Sequence, residues 1–228
     1  MNYLAQLASD WRGDLPPEGI MCERKFNGWR ALYFQGIDGQ TRLWSRNGVP
    51  LSGADHVFDR LAQMEAVAGE PIFIDGEIVV TPTDGTSDTL AATKHWFETG
   101  WKRGGNAGVF HAFDMLTFTE WQAGGTATPL IERKARLKAL FDASEPVDDG
   151  WTWTAGSRGA ETPIAVSLVE DTWAFDARDV MTLANCEWAI GNEGLVLKDP
   201  LSPYQRNRNA AWLKVKAENA HKWNRRAA

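Results

Sequence analysis

Cysteine is scarce in this chain: Cys22 and Cys186 are the two among 228 residues. Two thiols so far apart build no disulfide framework and have no metal-ligand spacing, and they fit a reduced, cytoplasmic setting. No apolar run approaches the ~20 residues that cross a bilayer, so no membrane span is expected. The opening residues Met1 to Gln6 lack the basic start and apolar core of a signal peptide. No GxxxxGK[ST] phosphate loop and no GxSxG nucleophile setting occurs. The stretch Arg103-Gly104-Gly105-Asn106-Ala107-Gly108 is glycine-rich but has neither the lysine nor the helix of a phosphate loop, and reads as a loop. His56, His95, His111 and His221 lie far apart, which argues against a zinc site.

Positive charge is also short overall, with a net charge of −6. Its distribution is uneven. Residues 201 to 228 hold Arg206, Arg208, Lys214, Lys216, Lys222, Arg225 and Arg226 against Glu218, a local +6 that leaves −12 on the first 200 residues. A polyanion partner needs a local basic face and not a basic average.

What is present is a lysine in a distinctive setting, Glu23-Arg24-Lys25-Phe26-Asn27-Gly28-Trp29-Arg30. A free lysine is neutral in only ~1 molecule per thousand near pH 7.5, so a nucleophilic lysine needs neighbours that make its charge costly. Lys198, Lys214, Lys216 and Arg30 would do so if they converge, and the same cations would hold phosphate oxygens. Lys214 and Lys216 share one strand face by period-two alternation, with Leu213 and Val215 turned to a core; Val196 and Lys198 repeat the pattern. Each strand alone is equally compatible with solvated lysines. Glu77, inside the apolar run Ile72 to Val80, is a carboxylate that needs a hydroxyl, cation or metal to bind. Glu193, flanked by Gly191 and Gly194, is a candidate Mg²⁺ ligand. Arg46 at a hairpin tip is either solvated or an anion clamp. Phe113 could stack on a base, although a strand phenylalanine is more often core.

The pattern around these residues is α+β. Arg30 to Phe34 and Thr41 to Ser45 read as a hairpin, with a second turn at Arg46-Asn47-Gly48. Val57, Leu61, Met64 and Ala68 recur at helical spacing, with Asp55 as cap and Gly69 as stop. Ile72 to Val80 and Phe110 to Leu116 read as strands, while Pro82 to Gly108 shows no legible period. Thr128 caps a helix with Pro129 at its first position; Leu130, Leu137, Leu140 and Phe141 form its apolar side, and Arg133, Lys134, Arg136 and Lys138 are expected in solvent. A loop with Trp151 and Trp153 precedes a strand at Ile164 to Val169. A helix runs from about Asp176 to Ile190 and ends at Gly191. Strands around Leu195 and Leu213 close the chain. Frequent hairpins imply mostly antiparallel sheets flanked by helices.

In order along the chain these segments resemble the nucleotidyltransferase domain of ATP-dependent DNA ligases, most like the short phage-type enzymes. Glu23 to Arg30 resembles motif I, Ser45-Arg46-Asn47-Gly48 motif Ia, Asp75-Gly76-Glu77 motif III, and Phe110 to Asp114 motif IIIa. Glu193 to Pro200 resembles motif IV and Trp212 to Lys216 motif V, and Pro129 to Lys134 resembles a helix common in these enzymes. The resemblance implies the fold shared by DNA ligases and mRNA capping enzymes, related to ATP-grasp. It implies a covalent lysyl-AMP on Lys25, formed from ATP with Mg²⁺ or another divalent cation, and transfer of AMP to the 5′-phosphate of a nick in duplex DNA. By the same analogy Glu23 meets the adenine amino group, Phe113 stacks on adenine and Glu77 holds the ribose. Arg30 and Arg46 contact ribose or the 5′-phosphate, Glu193 places the metal, and Lys198, Lys214 and Lys216 steady the α-phosphate. Asn27 departs from the aspartate usual in motif I, which leaves an RNA ligase acting on RNA-containing nicks as an alternative. An adenylate- or nick-binding protein with little turnover is a third. Residues 1–216 are expected to form the nucleotidyltransferase domain and 217–228 a basic tail without the OB-fold domain of these ligases. A natural single-domain, monomeric enzyme of a bacterial or phage-infected cell is the expected whole.

Overall fold

The structure, a computed structural model, describes residues 3–80, 88–100, 107–144 and 164–222. The loop with Trp151 and Trp153 and most of the glycine-rich stretch from Arg103 lie outside the described residues.

The expected hairpin forms from β3 (Trp29–Gln35) and β4 (Thr41–Ser45), with Ala31 opposite Ser45 and Gln35 opposite Thr41. Gly39 and Gly48 take φ of 77° and 80° in the two turns, a conformation that costs glycine nothing. β5 (Ile72–Val80), β6 (Gly108–Thr117) and β8 (Val166–Leu168) extend this sheet in the order β4-β3-β5-β6-β8. Side chains alternate between its faces. Ala31, Tyr33, Ile72, Ile74 and Ile78 pack on one side, and Leu32, Phe34, Phe73 and Val79 on the other. With both faces covered, the strands read as nearly continuous apolar runs.

The first face is covered by α1 (Asp55–Ala68) and α4 (Leu130–Ala143). Val57, Leu61 and Met64 of α1 are fully buried, each worth roughly 1.5–3 kcal/mol in apolar area. Gly69, at φ 71°, ends α1 as expected. Asp55 does not cap it; Ala54 holds that position without a side-chain bond, and Asp55 lies in the first turn, where its charge still favours the helix dipole. Thr128 does not cap α4 either. Pro129 occupies the cap position, and the N–H groups of Leu130 and Ile131 donate to the carbonyls of Ser202 and Pro200 at 3.0 Å each. A distant loop thus does the capping, which no local pattern can reveal.

The second sheet has the order β1-β12-β10-β2-β9, from β1 (Leu7–Asp10), β2 (Ile20–Lys25), β9 (Asp171–Ala174), β10 (Gly194–Lys198) and β12 (Arg208–Lys216). Helix α5 (Ala177–Ala189), capped by the Asp176 side chain, covers Leu195, Leu197 and Val215 on its outer face. Val196 and Trp212 point the other way, toward the first sheet. Short elements complete the fold: α2 (Leu90–His95) with a π turn at Trp96–Gly100, α3 (Phe118–Gln122), the two-residue strands β7 (Gly125–Thr126) and β11 (Tyr204–Gln205), and a 3-10 helix at Ala217–Lys222. Pairing is antiparallel except for β1 with β12 and β6 with β8. The α+β class and mostly antiparallel character stand.

Candidate active site

A cleft of about 790 Å³ is lined by Lys25, Lys198, Lys214, Lys216, Glu23, Arg30, Arg46, Glu77, Phe113 and Glu193. All ten residues singled out in the sequence therefore share one cavity.

Its centre is the turn between β2 and β3. A Cβ on Gly28 would sit 2.3 Å from the Ile78 carbonyl oxygen, so only glycine lets the chain pass this close to β5. The Gly28 N–H donates to Glu77 Oε1 at 2.8 Å, which fixes Glu77 below the turn. Burial raises the pKa of Glu77, against the lowering effect of Lys25, the Gly28 N–H and Arg30. Lys25 Nζ donates to Glu193 Oε2 at 2.7 Å, and Glu193 Oε1 pairs with Lys216 Nζ at 2.6 Å. Glu193 reaches this position because Gly194, at φ 134°, lets β10 start hard against the Val215 carbonyl.

Behind Lys25, Glu23 is buried between Lys134 Nζ at 2.6 Å and Lys198 Nζ at 2.5 Å. Lys198 is itself buried, with its ammonium 4.3 Å from the Phe113 ring centroid and 4.2 Å from that of Trp212. Burial lowers the pKa of Lys198, and Glu23 opposes it. The Lys198 ammonium is thus held between the Glu23 carboxylate and two ring faces. A buried cation lining a cleft suits an anionic ligand. Phe113 is aimed inward by a bulge: Asp75 pairs with Asp114 and Gly76 with Ala112, leaving Phe113 as the extra residue of β6.

That bulge also sets Asp75 and Asp114 opposite each other, both fully buried. Each has its own arginine. Arg30 grips Asp75 through two bonds of 2.7 and 2.6 Å and also bonds the Gln6 carbonyl at 3.0 Å. Tyr204 donates to Asp75 at 2.7 Å. Arg133 grips Asp114 through two bonds of 2.8 Å.

Several expectations need correction. The cations expected to crowd Lys25 each come with a carboxylate: Lys216 with Glu193, Lys198 with Glu23, Arg30 with Asp75, and Lys214 with Asp10 at 3.2 Å. Lys25 sits in an ion pair and not among bare positive charges. Arg30, expected at a ribose or phosphate, is committed to Asp75 and the Gln6 carbonyl. Arg133 and Lys134, expected in solvent, are buried and nearly buried on Asp114 and Glu23. Arg46 is exposed at the cleft rim, as its hairpin position suggested. The sequence reading missed Lys134, Asp75, Trp212 and Asp88 as parts of the site. Asp75 and Trp212 stand beside residues already chosen; for Lys134 and Asp88 no spacing points to the cleft.

Among the described residues no group of three or more His, Cys, Asp or Glu could hold a metal. Glu193, with Glu77 nearby in the cleft, fits a hydrated divalent cation that arrives with phosphates, and does not fit a protein-built metal cage.

A family model described as the ATP dependent DNA ligase domain matches residues 3–216. The chain belongs to the ATP-dependent DNA ligase domain family. Among curated relatives of this ligase domain, the DNA ligase of Haloferax volcanii is 28% identical over 208 residues, covering 86% of this chain and 30% of that protein. The DNA ligase of Pyrobaculum calidifontis is also 28% identical, over 87% of this chain and 31% of its own. The chain thus spans about a third of the length of these archaeal relatives. Among solved structures, the ATP-dependent DNA ligase of bacteriophage T7 in complex with ATP superposes with a TM-score of 0.69 at 16% identity, covering 94% of this chain and 69% of that one. The Chlorella virus DNA ligase-adenylate gives 0.64 at 15% identity, covering 93% and 68%. At these identities the likeness establishes the shared nucleotidyltransferase fold.

Proposed function

We propose that this ligase domain takes AMP from ATP onto Lys25 and passes it to the 5′-phosphate of a nick in duplex DNA, which the 3′-hydroxyl then seals. The observation that carries this reading is the convergence of Lys25, its carboxylate partner Glu193, and Lys198, Lys214 and Lys216 on one cleft. Residues 1–216 serve as the nucleotidyltransferase unit and 217–228 as a basic tail.

The chemistry follows from the geometry. Lys25 must lose a proton before it can attack, and Glu193, 2.7 Å away, is its nearest acceptor. The neutral amine attacks the α-phosphorus of ATP, an N–P bond forms, and the bond to pyrophosphate breaks. Lys198, and Lys216 once Glu193 takes the proton, then meet the charge on the phosphate. Lys214 adds a third cation. Glu23 and Phe113 line the part of the cleft suited to a base, and Glu77 can accept from a ribose hydroxyl. Arg30 acts through Phe113, whose ring it covers at 4.9 Å, and Arg46 at the rim reaches toward the nick. Glu193, with Glu77 nearby, would hold Mg²⁺ or another divalent cation, which would neutralise phosphate charge.

Incubation with labelled ATP or GTP separates adenylyl from guanylyl transfer. Nicked duplexes with DNA or RNA on each side of the break test the substrate. Sealing of all-DNA nicks is the expected result; sealing confined to RNA-containing nicks would overturn DNA as the substrate and favour the RNA-ligase reading that Asn27 raises. Binding of nicks without any label transfer would favour the non-catalytic reading. A monomer acting in the cytoplasm, where Cys22 and Cys186 stay unpaired, completes the proposal.

A further inference from the structure

Asp88 is a buried carboxylate on the segment leading into α2, 61 residues along the chain from Asn27. It makes two directed contacts. Oδ2 accepts the backbone N–H of Asn27 at 2.9 Å, inside the turn that follows Lys25. Oδ1 pairs with Nη2 of Arg24, on the other side of Lys25. The same Arg24 nitrogen donates to Asn192 Oδ1 at 2.9 Å, and Asn192 immediately precedes Glu193. Asn192 is itself held by Glu187, through its backbone N–H at 2.9 Å and its side chain at 2.6 Å. Arg24 also covers the Phe26 ring, with its guanidinium carbon 4.9 Å from the centroid, and Phe26 stacks on His111 at 4.2 Å.

These contacts form a clasp from Asp88 through Arg24 to Asn192. It runs beside the Lys25–Glu193 pair and joins the residues next to both of its members. Asn27 brings no charge of its own to the turn; its backbone N–H is met by the Asp88 carboxylate, as the next N–H, of Gly28, is met by Glu77. A backbone N–H bonded to a carboxylate, and a carboxylate paired with a guanidinium, are the stronger kind of hydrogen bond. Reacting groups must be held within a fraction of an ångström of their working geometry, and small misplacements cost large factors in rate.

We propose that Asp88 is a positioning residue for Lys25, setting the lysine turn and, through Arg24 and Asn192, the approach of Glu193. This rests on the proposed adenylyl transfer. Asp88 touches neither Lys25 nor Glu193, so its loss should slow the reaction at saturating ATP and leave the ATP concentration dependence nearly unchanged.

The test uses the full chain with Asp88→Ala and Asp88→Asn. Asparagine keeps an acceptor for the Asn27 N–H but loses the charge that holds Arg24. Covalent labelling by ATP is followed at increasing ATP, and hydrogen exchange reads the protection of the Asn27 amide. The expected result is a maximal labelling rate down by about tenfold in Asp88→Ala, partial recovery in Asp88→Asn, an unchanged KM, and faster Asn27 exchange in Asp88→Ala. Wild-type maximal rates in both variants, or a loss confined to KM, would overturn the proposal even if the wild-type chain labels normally. A wild-type chain that takes no label would instead remove the adenylyl-transfer reading, and Asn27 exchange unaffected by Asp88→Ala would remove the clasp as well. If Asp88→Ala fails to fold, Asp88→Asn decides, by a labelling rate below wild type or equal to it.

Discussion

Glu193 divides its two oxygens between two lysines, Lys25 at 2.7 Å and Lys216 at 2.6 Å. The bond to Glu193 is the largest cause of a raised pKa at Lys216. One carboxylate therefore governs both the attacking amine and a cation meant for the phosphate. Glu193→Gln keeps the shape but cannot take a proton. AMP labelling should slow by about a hundredfold, with a thermal midpoint close to wild type. Labelling at the wild-type rate would remove Glu193 from the reaction.

The pair Arg133–Asp114 is fully buried on both sides, and removing one partner leaves an uncompensated charge. Arg133→Met should cost about 3–5 kcal/mol in urea unfolding. Arg133→Met combined with Asp114→Asn should cost less than the sum of the two single changes. Strict additivity would mean that the two groups do not stabilise each other.

His111 gives a pH dependence. Burial, with a contribution from nearby Arg24, lowers its pKa from 6.5 to about 4. The unfolded chain then binds a proton at His111 that the folded chain does not, between pH 6.5 and about 4. The stability linked to this neutral ring is whole above 6.5 and is lost as pH falls through that window. His111→Phe keeps a ring against Phe26 and removes the titration. Wild type should lose on the order of 2 kcal/mol more than His111→Phe between pH 7 and pH 4.5. Equal losses, read by denaturant unfolding at each pH, would contradict the assignment.

The site was more legible in the sequence than the frame that holds it. Lys25, Lys198, Lys214 and Lys216 could be grouped because strand alternation and a turn are local signals, and Gly28 and Gly194 mark the close approaches that bring the strands together. What failed to show was pairing over long distances. Arg133 and Lys134 look like surface residues of a helix until β6 and β2 supply Asp114 and Glu23. Thr128 looks like a cap until Ser202 and Pro200 take the N–H groups. The charge at Lys25 was misjudged for the same reason: the lysines form visible patterns, while nothing local shows that Glu23, Glu193 and Asp10 pair with them. The strands Leu7–Asp10 and Asp171–Ala174 went unseen because they are only four residues each and draw their order from neighbours.

Mass spectrometry of the chain after incubation with ATP and Mg²⁺, mapped to peptides, tests the central claim most directly. The expected result is one AMP adduct on the peptide carrying Lys25, absent in a folded Lys25→Ala variant. An adduct on another residue, or label that persists in Lys25→Ala, would contradict it.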